Sequence, residues 1–202
     1  MTLLAYGLAA AAYLIGSISF AVVVARLYRM PDPRTFGSGN PGATNMLRSG
    51  RREAAVWTLV GDTAKGMLAV ALAEALLPPG PDQPLAMAAV VLAVFLGHLF
   101  PVFFGFRGGK GVATAAGILL VLHWPLGALT LLVWLGVFAL TRVSSVAALS
   151  ASAAAPVIAF ATLGRGPLTG AVLLMAVLLI WRHRSNIRKL LAGEEAAFRP
   201  RG

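Results

Sequence analysis

Seven apolar stretches, separated by short segments rich in glycine, proline or charge, constrain the fold of this chain more than any other feature. The first three each exceed 20 residues and are therefore long enough to cross a hydrocarbon core of about 30 Å. The fourth has only eleven residues and reaches about 16 Å, which predicts a short helix or half-span. The stretches cover residues 3–25, 54–77, 84–104, 112–122, 125–140, 146–163 and 168–181.

The composition agrees with a membrane protein. Hydrophobic residues make up 58% of the chain and charged residues only 12%, compared with about 25% charged residues in soluble domains. A chain of 202 residues has too little interior to hide so many apolar side chains from water. We therefore predict a single all-α integral membrane domain over residues 1–202, with about seven transmembrane or half-spanning helices.

The basic residues predict the orientation of these helices. With seven segments and the N-terminus outside, 15 of the 17 Lys and Arg residues fall on the cytoplasmic side, as the positive-inside rule requires. A single helix over 112–140, kinked at Pro125, would instead put Arg142 and the C-terminal cluster on opposite sides. We therefore predict an external turn at 123–125, and we attribute the net charge of +10 to the membrane rather than to nucleic acid. The cytoplasmic residues would be Arg26, Arg29, Arg34, Arg48, Arg51, Arg52, Arg107, Lys110, Arg142, Arg182, Arg184, Arg188, Lys189, Arg199 and Arg201.

The first of three polar segments, residues 36–48, combines flexible backbone with hydrogen-bond donors. Asn40 followed by Pro41 predicts a helix N-cap and first helical residue, which would aim free N–H groups and a helix dipole at the loop. One interpretation is an oxyanion site, and the other is an ordinary capped turn. The glycines are Gly37, Gly39 and Gly42, and the candidate donors are Ser38, Thr44, Asn45 and Arg48.

The second polar segment, residues 97–111, places four glycines around Arg107 and Lys110 before a predicted helix. It is not a nucleotide-binding P-loop, because Phe104 and Gly111 occupy positions that need Gly and Ser or Thr. Bare backbone with two cations still suits a phosphate, although a flexible basic loop is the alternative. We expect a Cβ at Gly108 or Gly109 to block positive φ or to occupy the volume of the ligand.

The third polar segment, residues 181–195, follows the last apolar stretch. The spacing predicts one helical face that carries His183, Asn186 and Leu190. At least two of the four neighbouring basic residues are expected only to extend towards the membrane surface. The four are Arg182, Arg184, Arg188 and Lys189.

Other polar residues within the apolar stretches have simpler interpretations. Asp62 and Lys65 predict an internal ion pair, with a substrate or proton site as the alternative. His98 is a candidate for orienting a phosphate or a loop carbonyl, and His123 is expected to lie at the interface. The chain has no cysteine and no cluster of His and carboxylate residues, so we expect no metal and no other cofactor.

The three motifs closely resemble those of the bacterial acyl-phosphate:glycerol-3-phosphate acyltransferase family, PlsY. They read S-G-N-P-G-A-T-N-M-L-R at 38–48, G-H-L-F-P-V-F-F-G-F-R-G-G-K-G-V-A-T at 97–114, and H-R-S-N-I-x-K-L-L-x-G-x-E at 183–195. The resemblance extends to G-S-I-S-F at 16–20 and D-T-A-K-G at 62–66. Ser19 stands where a Pro is common and Thr63-Ala64 where Val-Leu is usual, and neither departure touches a catalytic role.

The resemblance implies an activity and partners. The acyl group of a fatty acyl phosphate would pass to the 1-hydroxyl of sn-glycerol 3-phosphate, which gives lysophosphatidate and phosphate in the first step of phospholipid synthesis. It also implies a bacterial inner membrane with the site on its cytoplasmic side, contact with membrane lipids, and a functional link to the enzyme that makes acyl phosphate.

The resemblance also implies roles for individual residues. Catalytic roles fall on Ser38, Arg48, Lys110, His183 and Asn186. Glu195 is expected to be structural. Substrate-binding roles fall on Gly39, Asn40, Gly42, Thr44, Asn45, His98, Arg107, Gly108, Gly109, Gly111, Ser144 and Ser145.

The residue types fit this chemistry, because two phosphate substrates bring a charge of about −3 to −4 into one site. An acyl phosphate is already activated, so no covalent acyl-enzyme is needed. The proton of the acceptor hydroxyl leaves through His183 or through an oxygen of the donor phosphate; we favour the phosphate, because no carboxylate is placed to orient His183.

Other function classes fit the sequence less well. The acyltransferase class that uses H-x-x-x-x-D is excluded, since Phe103, Ala128 and Arg188 stand five residues after the three histidines. A transporter of an organic phosphate is the main alternative, but it predicts inverted repeats and a site at the membrane midplane. A non-catalytic assembly protein would give no reason for three anion-binding loops.

Overall fold

Helices follow one another along almost the entire chain in the computed structural model, which describes residues 1–195 and 197. No strand occurs within those residues, so the predicted all-α class is confirmed. A short 3-10 turn at Val102–Phe104 follows the fifth helix. The helices are α1 (Leu3–Gly16), α2 (Phe20–Leu27), α3 (Ala43–Arg48), α4 (Arg52–Leu76), α5 (Gln83–Leu99), α6 (Val112–Leu122), α7 (Trp124–Thr141), α8 (Ser144–Leu163), α9 (Pro167–Arg182) and α10 (Arg184–Leu191).

Several of these helices have the length and hydropathy of membrane spans. Four qualify without a break: α4, α5 with its following turn, α7 and α8. The pairs α1–α2 and α9–α10 qualify together and are bent by 42° and 56°. Helix α6 is shorter, as its eleven residues predict. The orientation of the spans stays a prediction, and Arg199 and Arg201, which contributed to it, lie outside the described residues.

The prediction of one helix over 3–25 is wrong, because the helix is interrupted between Gly16 and Phe20. The N–H of Ser17 still donates to Tyr13 and Leu14, but the carbonyl of Ile18 accepts from the Lys65 ammonium at 2.7 Å. A side chain from α4 has therefore replaced a helical N–H as the partner of that carbonyl. The stretch 84–104 forms one candidate span, Gln83–Phe104. Within it the α-helix ends at Leu99, because Pro101 cannot continue a helix.

The turn predicted at 123–125 is confirmed as a break between two helices. Helix α6 ends at Leu122 and α7 begins at Trp124, so a single kinked helix over 112–140 is excluded. Gly127 lies against the backbone of Leu119 and Leu120, which shows that the chain reverses and packs on itself.

Glycines allow the central helices to pack closely. Helices α1 and α5 approach at Gly16 and Gly97, and α4 and α6 approach at Gly66 and Gly117; a Cβ at any of these positions would overlap backbone atoms of the facing helix. Small residues at such contacts are typical of helix packing in membranes. Helices α1, α4, α5, α6 and α9 together bury the largest apolar cluster, which includes Phe95. By contrast, α7 buries only Leu126 and Gly127, as expected of a lipid-facing helix.

Candidate active site

A cavity of about 640 Å³ lies where the three polar segments of the sequence meet. Its walls come from the loop before α3, the loop before α6, and the region around α10, which are far apart in sequence. Basic side chains on these walls outnumber carboxylates, so the cavity suits an anion. It is lined by Ser38, Gly39, Asn40, Arg48, Gly108, Lys110, Arg182, Arg184, Ser185, Asn186, Arg188, Lys189, Glu194 and Glu195.

The first loop, residues 36–42, is held in shape by one side chain. Asn45 is 1% exposed, and its Oδ1 accepts from the N–H and the hydroxyl of Ser38 at 2.9 and 3.2 Å. Its Nδ2 donates to the carbonyls of Pro33 and Phe36 at 2.8 and 3.2 Å. Asn45 therefore positions Ser38 from behind the cavity rather than lining it.

The predicted N-cap at Asn40 is wrong. Helix α3 begins at Ala43 with Gly42 as its N-cap, and no side chain caps it. Asn40 lines the cavity instead, and its carbonyl accepts from the N–H of Gly42 at 3.0 Å. The chain needs positive φ at Gly37 and Gly39, at 58° and 66°, so the first loop is shaped by left-handed glycines and not by a helix start.

The second loop, residues 105–111, packs tightly on the end of α5. The N–H of Gly109 donates to the carbonyl of His98 at 3.2 Å. A Cβ at Gly108 would overlap the carbonyls of His98 and Leu99, and a Cβ at Gly109 would overlap the imidazole of His98. Neither glycine has positive φ, so that part of the expectation is wrong. Both glycines leave room for neighbouring protein atoms. Gly111 does adopt positive φ, at 90°.

Arg182, at the end of α9, holds the second loop from the other side. Its Nε donates to the carbonyl of Gly109 at 3.0 Å and its Nη2 to the carbonyl of Gly108 at 2.6 Å. The sequence placed Arg182 among residues that extend towards the membrane surface. Its identity as a basic residue at the end of a span gave no signal of this contact.

A chain of hydrogen bonds crosses the cavity from the second loop to α8. The Lys110 ammonium donates to Oδ1 of Asn186. Asn186 donates in turn to Oε1 of Glu195 at 2.6 Å, and the Ser145 hydroxyl donates to the same oxygen at 2.7 Å. The structure thus makes Glu195 the acceptor that joins Asn186 to Ser145.

Burial and neighbouring charges shift the pKa values of this chain of groups. Burial lowers the pKa of Lys110 to about 8, with the nearby Arg48 and Arg182 cations acting in the same direction and Glu195 opposing them. The pKa of Glu195 is lowered: partial burial opposes the shift, but hydrogen bonds from Ser145 and Asn186 and the charges of Lys110 and Arg48 outweigh it. Lys110 is therefore a cation at neutral pH that loses its charge within the mildly alkaline range.

The two candidate histidines are buried and do not line the cavity. Nδ1 of His183 lies 2.9 Å from the carbonyl of Leu179, and since a carbonyl only accepts, Nδ1 carries the proton. The helix breaks at His183, so the prediction that His183 and Asn186 share one continuous helical face is wrong. Nδ1 of His98 lies 3.1 Å from the Thr114 hydroxyl and 3.6 Å from the Asp62 carboxylate.

The predicted ion pair between Asp62 and Lys65 is confirmed. Their charged atoms are 2.8 Å apart and both side chains are buried. Thr114 donates to the carbonyl of Asp62 at 3.0 Å, so the pair joins α4 to α6 and, through Ile18, to the break after α1. It lies within the helices and lines neither cavity.

The candidate site residues differ in whether they line the larger cavity, a smaller one beside it, or neither. Arg107 lines a smaller adjoining cavity of about 210 Å³, which shares Gly39, Gly108 and Arg182 with the larger one. Thr44 and Ser144 lie 3.3 Å apart, hydroxyl to hydroxyl, and link α3 to α8. The candidates that line the larger cavity are Ser38, Gly39, Asn40, Arg48, Gly108, Lys110 and Asn186. Those that line neither are Gly42, Thr44, Asn45, His98, Gly109, Gly111, Ser144, Ser145 and His183.

Comparison with known sequences gives a match over most of the chain. The family model described as glycerol-3-phosphate acyltransferase matches residues 6–193. The glycerol-3-phosphate acyltransferase of Ralstonia nicotianae is 58% identical over 188 residues, which cover 93% of this chain and 91% of the relative. That of Methylobacillus flagellatus is 57% identical over 189 residues, which cover 93% and 94%.

Comparison with solved structures gives the same fold. The crystal structure of PlsY (YgiH), an integral membrane glycerol 3-phosphate acyltransferase, in its glycerol 3-phosphate form matches with a TM-score of 0.90 and 36% identity over 96% of both chains. The lysophosphatidic acid form of that protein matches with a TM-score of 0.87, over 96% of this chain and 95% of the other. This chain is an integral membrane acyltransferase and belongs to the glycerol-3-phosphate acyltransferase family.

Proposed function

We propose that this protein transfers the acyl group of a fatty acyl phosphate to the 1-hydroxyl of sn-glycerol 3-phosphate, with lysophosphatidate and inorganic phosphate as products. The observation that carries the proposal is the cavity at which cations from three chain segments converge: Arg48, Lys110 and Arg188. Two phosphate groups in one site need several cations, because together they bring a charge of about −3 to −4.

The cavity residues suit the charge that moves during such a reaction. As the acyl–phosphate bond breaks, negative charge grows on the departing phosphate, and Arg48 and Lys110 are placed to stabilise it. Ser38 and Asn186 offer neutral hydrogen-bonding groups beside these cations. Because the donor is already activated, the protein has only to position the acceptor hydroxyl and stabilise the leaving group.

We further propose that a phosphate oxygen of the donor takes the proton from the acceptor hydroxyl. The position of His183 supports this assignment, because its ring is buried and does not line the cavity. His183 would then orient the end of α9 rather than act as the base.

The reaction is tested with purified protein in detergent micelles, given fatty acyl phosphate and glycerol 3-phosphate. We expect lysophosphatidate and phosphate in equal amounts, and a rate that is lower by roughly 10²-fold in Lys110→Ala under the same conditions. Acyl-CoA in place of acyl phosphate tests the donor. Movement of glycerol 3-phosphate into vesicles without any lysolipid would support a transporter and contradict the proposal.

We propose that the cavity faces the cytoplasm of a bacterial inner membrane, where membrane lipids surround the protein and a second enzyme supplies the acyl phosphate. The chain has no cysteine, so single cysteines report on sidedness without a background. Gly80→Cys lies in the loop before α5, and Leu191→Cys lies at the end of α10, where the side chain is 85% exposed. An impermeant thiol reagent added outside intact cells should label only Gly80→Cys; labelling of both would contradict this orientation.

A further inference from the structure

We propose that Arg182 is a positioning residue for acyl transfer: it fixes the second loop so that Lys110 meets the departing phosphate. The inference rests on the proposed function. It assigns to Arg182 a role that its place at the end of a membrane span does not predict.

The contact between Arg182 and the loop uses the fork shape of the guanidinium. Two of its nitrogens donate to two successive carbonyls, those of Gly108 and Gly109, at 2.6 and 3.0 Å. A planar fork can hold two acceptors in a fixed geometry, whereas a lysine ammonium acts as a point charge. The guanidinium carbon is also 5.9 Å from the centre of the Phe100 ring and 6.0 Å from that of Trp181, so aromatic rings help to hold its position.

The opposite side of the same peptides is fixed by α5. The N–H of Gly109 donates to the carbonyl of His98 at 3.2 Å, and the imidazole of His98 lies directly against Gly109. The peptides of Gly108 and Gly109 are therefore held between the end of α5 and the end of α9. Lys110 is the next residue along the chain, so the position of its backbone follows from these contacts.

Arg182 also lies close in sequence to the helix that carries the hydrogen-bond partner of Lys110. Helix α10 begins two residues after Arg182 with a bend of 56°, and it carries Asn186, whose Oδ1 accepts from the Lys110 ammonium. The end of α9 therefore contacts the loop that carries Lys110 and leads directly into the helix that carries the partner of the lysine side chain. The Arg182 cation also lowers the pKa of Lys110.

Two substitutions separate the shape of Arg182 from its charge. Arg182→Lys keeps a cation but cannot bridge both carbonyls, and Arg182→Gln removes the charge as well. We expect each to lower kcat about tenfold or more, with KM for glycerol 3-phosphate changed less than threefold. In Arg182→Gln alone, the pKa of Lys110 should rise, so the alkaline limb of the pH–rate profile should move to higher pH.

The matched control is Arg165→Gln. Arg165 also has its guanidinium over a ring, 5.9 Å from the centre of Phe160, but it follows α8 and lines neither cavity. We expect this variant to keep the kcat of the unmodified protein.

A double-mutant cycle tests whether Arg182 acts through Lys110. In a Lys110→Ala background, Arg182→Lys should lower the residual rate less than threefold, because the residue that it positions is gone. If Arg182→Lys does not fold, Phe100→Leu loosens the guanidinium with the arginine in place, and its loss of about threefold in kcat should likewise vanish in the Lys110→Ala background.

Three results would overturn the positioning role: an unchanged kcat in Arg182→Lys, an effect mainly on KM, which would make Arg182 a substrate ligand, or full additivity with Lys110→Ala. Unmodified protein is assayed beside every variant. An unmodified protein that makes no lysophosphatidate counts against the proposed function instead, so the two failures are distinguishable.

Discussion

The first and second loops line the same cavity but are held in different ways. The first loop takes its shape from Asn45, which lies only a few residues further along the chain and satisfies its polar groups locally. The second loop depends on distant segments: the His98 carbonyl from α5 and the Arg182 guanidinium from α9. One cavity thus combines a wall that local contacts hold in shape with a wall that depends on contacts between packed helices.

The largest expected effect comes from the cation that each region contributes. Arg48→Ala, after the first loop, and Lys110→Ala, in the second, should each lower kcat by roughly 10²-fold or more, by analogy with the loss of one transition-state donor. The measurement is the steady-state rate of phosphate release. Arg51→Ala, three residues from Arg48, is the matched control. Equal losses of kcat in all three variants would indicate that the basic residues act only through a diffuse electrostatic field and not as a specific site.

The second loop should not tolerate an added methyl group at Gly108. Gly108→Ala places a Cβ against the carbonyls of His98 and Leu99, and such overpacking costs about 1–3 kcal/mol of stability. We expect a lower thermal midpoint together with a loss of about tenfold in kcat/KM. Gly80→Ala is the control, because nothing lies within 4 Å of a Cβ there; equal behaviour of the two variants would show that the second loop is not tightly packed.

The first loop should be sensitive to one amide. Asn45→Asp keeps the size of the side chain but turns the two donors to Pro33 and Phe36 into acceptors that face carbonyls. A buried polar group left without its partner costs about 1–3 kcal/mol, and Ser38 should lose its position. The midpoint temperature of thermal unfolding and kcat should both fall in Asn45→Asp. A variant with unchanged kcat would show that the first loop keeps its shape without this amide.

The smallest expected effect is the pH dependence of the reaction rate that Lys110 of the second loop should cause. The pKa of Lys110 is lowered to about 8, so its charge is present at pH 7 and is lost as the pH rises through 8. The rate should therefore fall about twofold by pH 8 and about tenfold by pH 9. Lys110→Arg keeps its charge over this range, and a fall that persists unchanged in this variant would assign the pH dependence to another group.

Local sequence signals predicted much of the architecture. The bounds of α6 at 112–122 followed from apolar residues between a glycine-rich loop and a proline turn. The internal pair of Asp62 and Lys65 followed from the cost of isolated charges in a membrane. The meeting of the three motifs followed from the family resemblance and from the shared side that the charges assigned to them.

The features that the sequence did not predict depend on contacts between distant segments. The break after Gly16 involves Lys65 of α4, which no property of 3–25 reveals. The tight packing of Gly108 requires the end of α5, and the role of Arg182 requires the loop that it holds. In each case the physical cause is a backbone group whose partner lies on another helix.

The central claim is that loops distant in sequence form one phosphate-binding cavity, and protection from thiol labelling tests it most directly. Ser38→Cys and Ser185→Cys place single reporters on the wall of the first loop and on the wall of α10, with Gly80→Cys as the unprotected control. Glycerol 3-phosphate should slow labelling at both sites with the same concentration dependence and leave Gly80→Cys unaffected. Protection at only one of the two walls, or at neither, would contradict a single shared cavity.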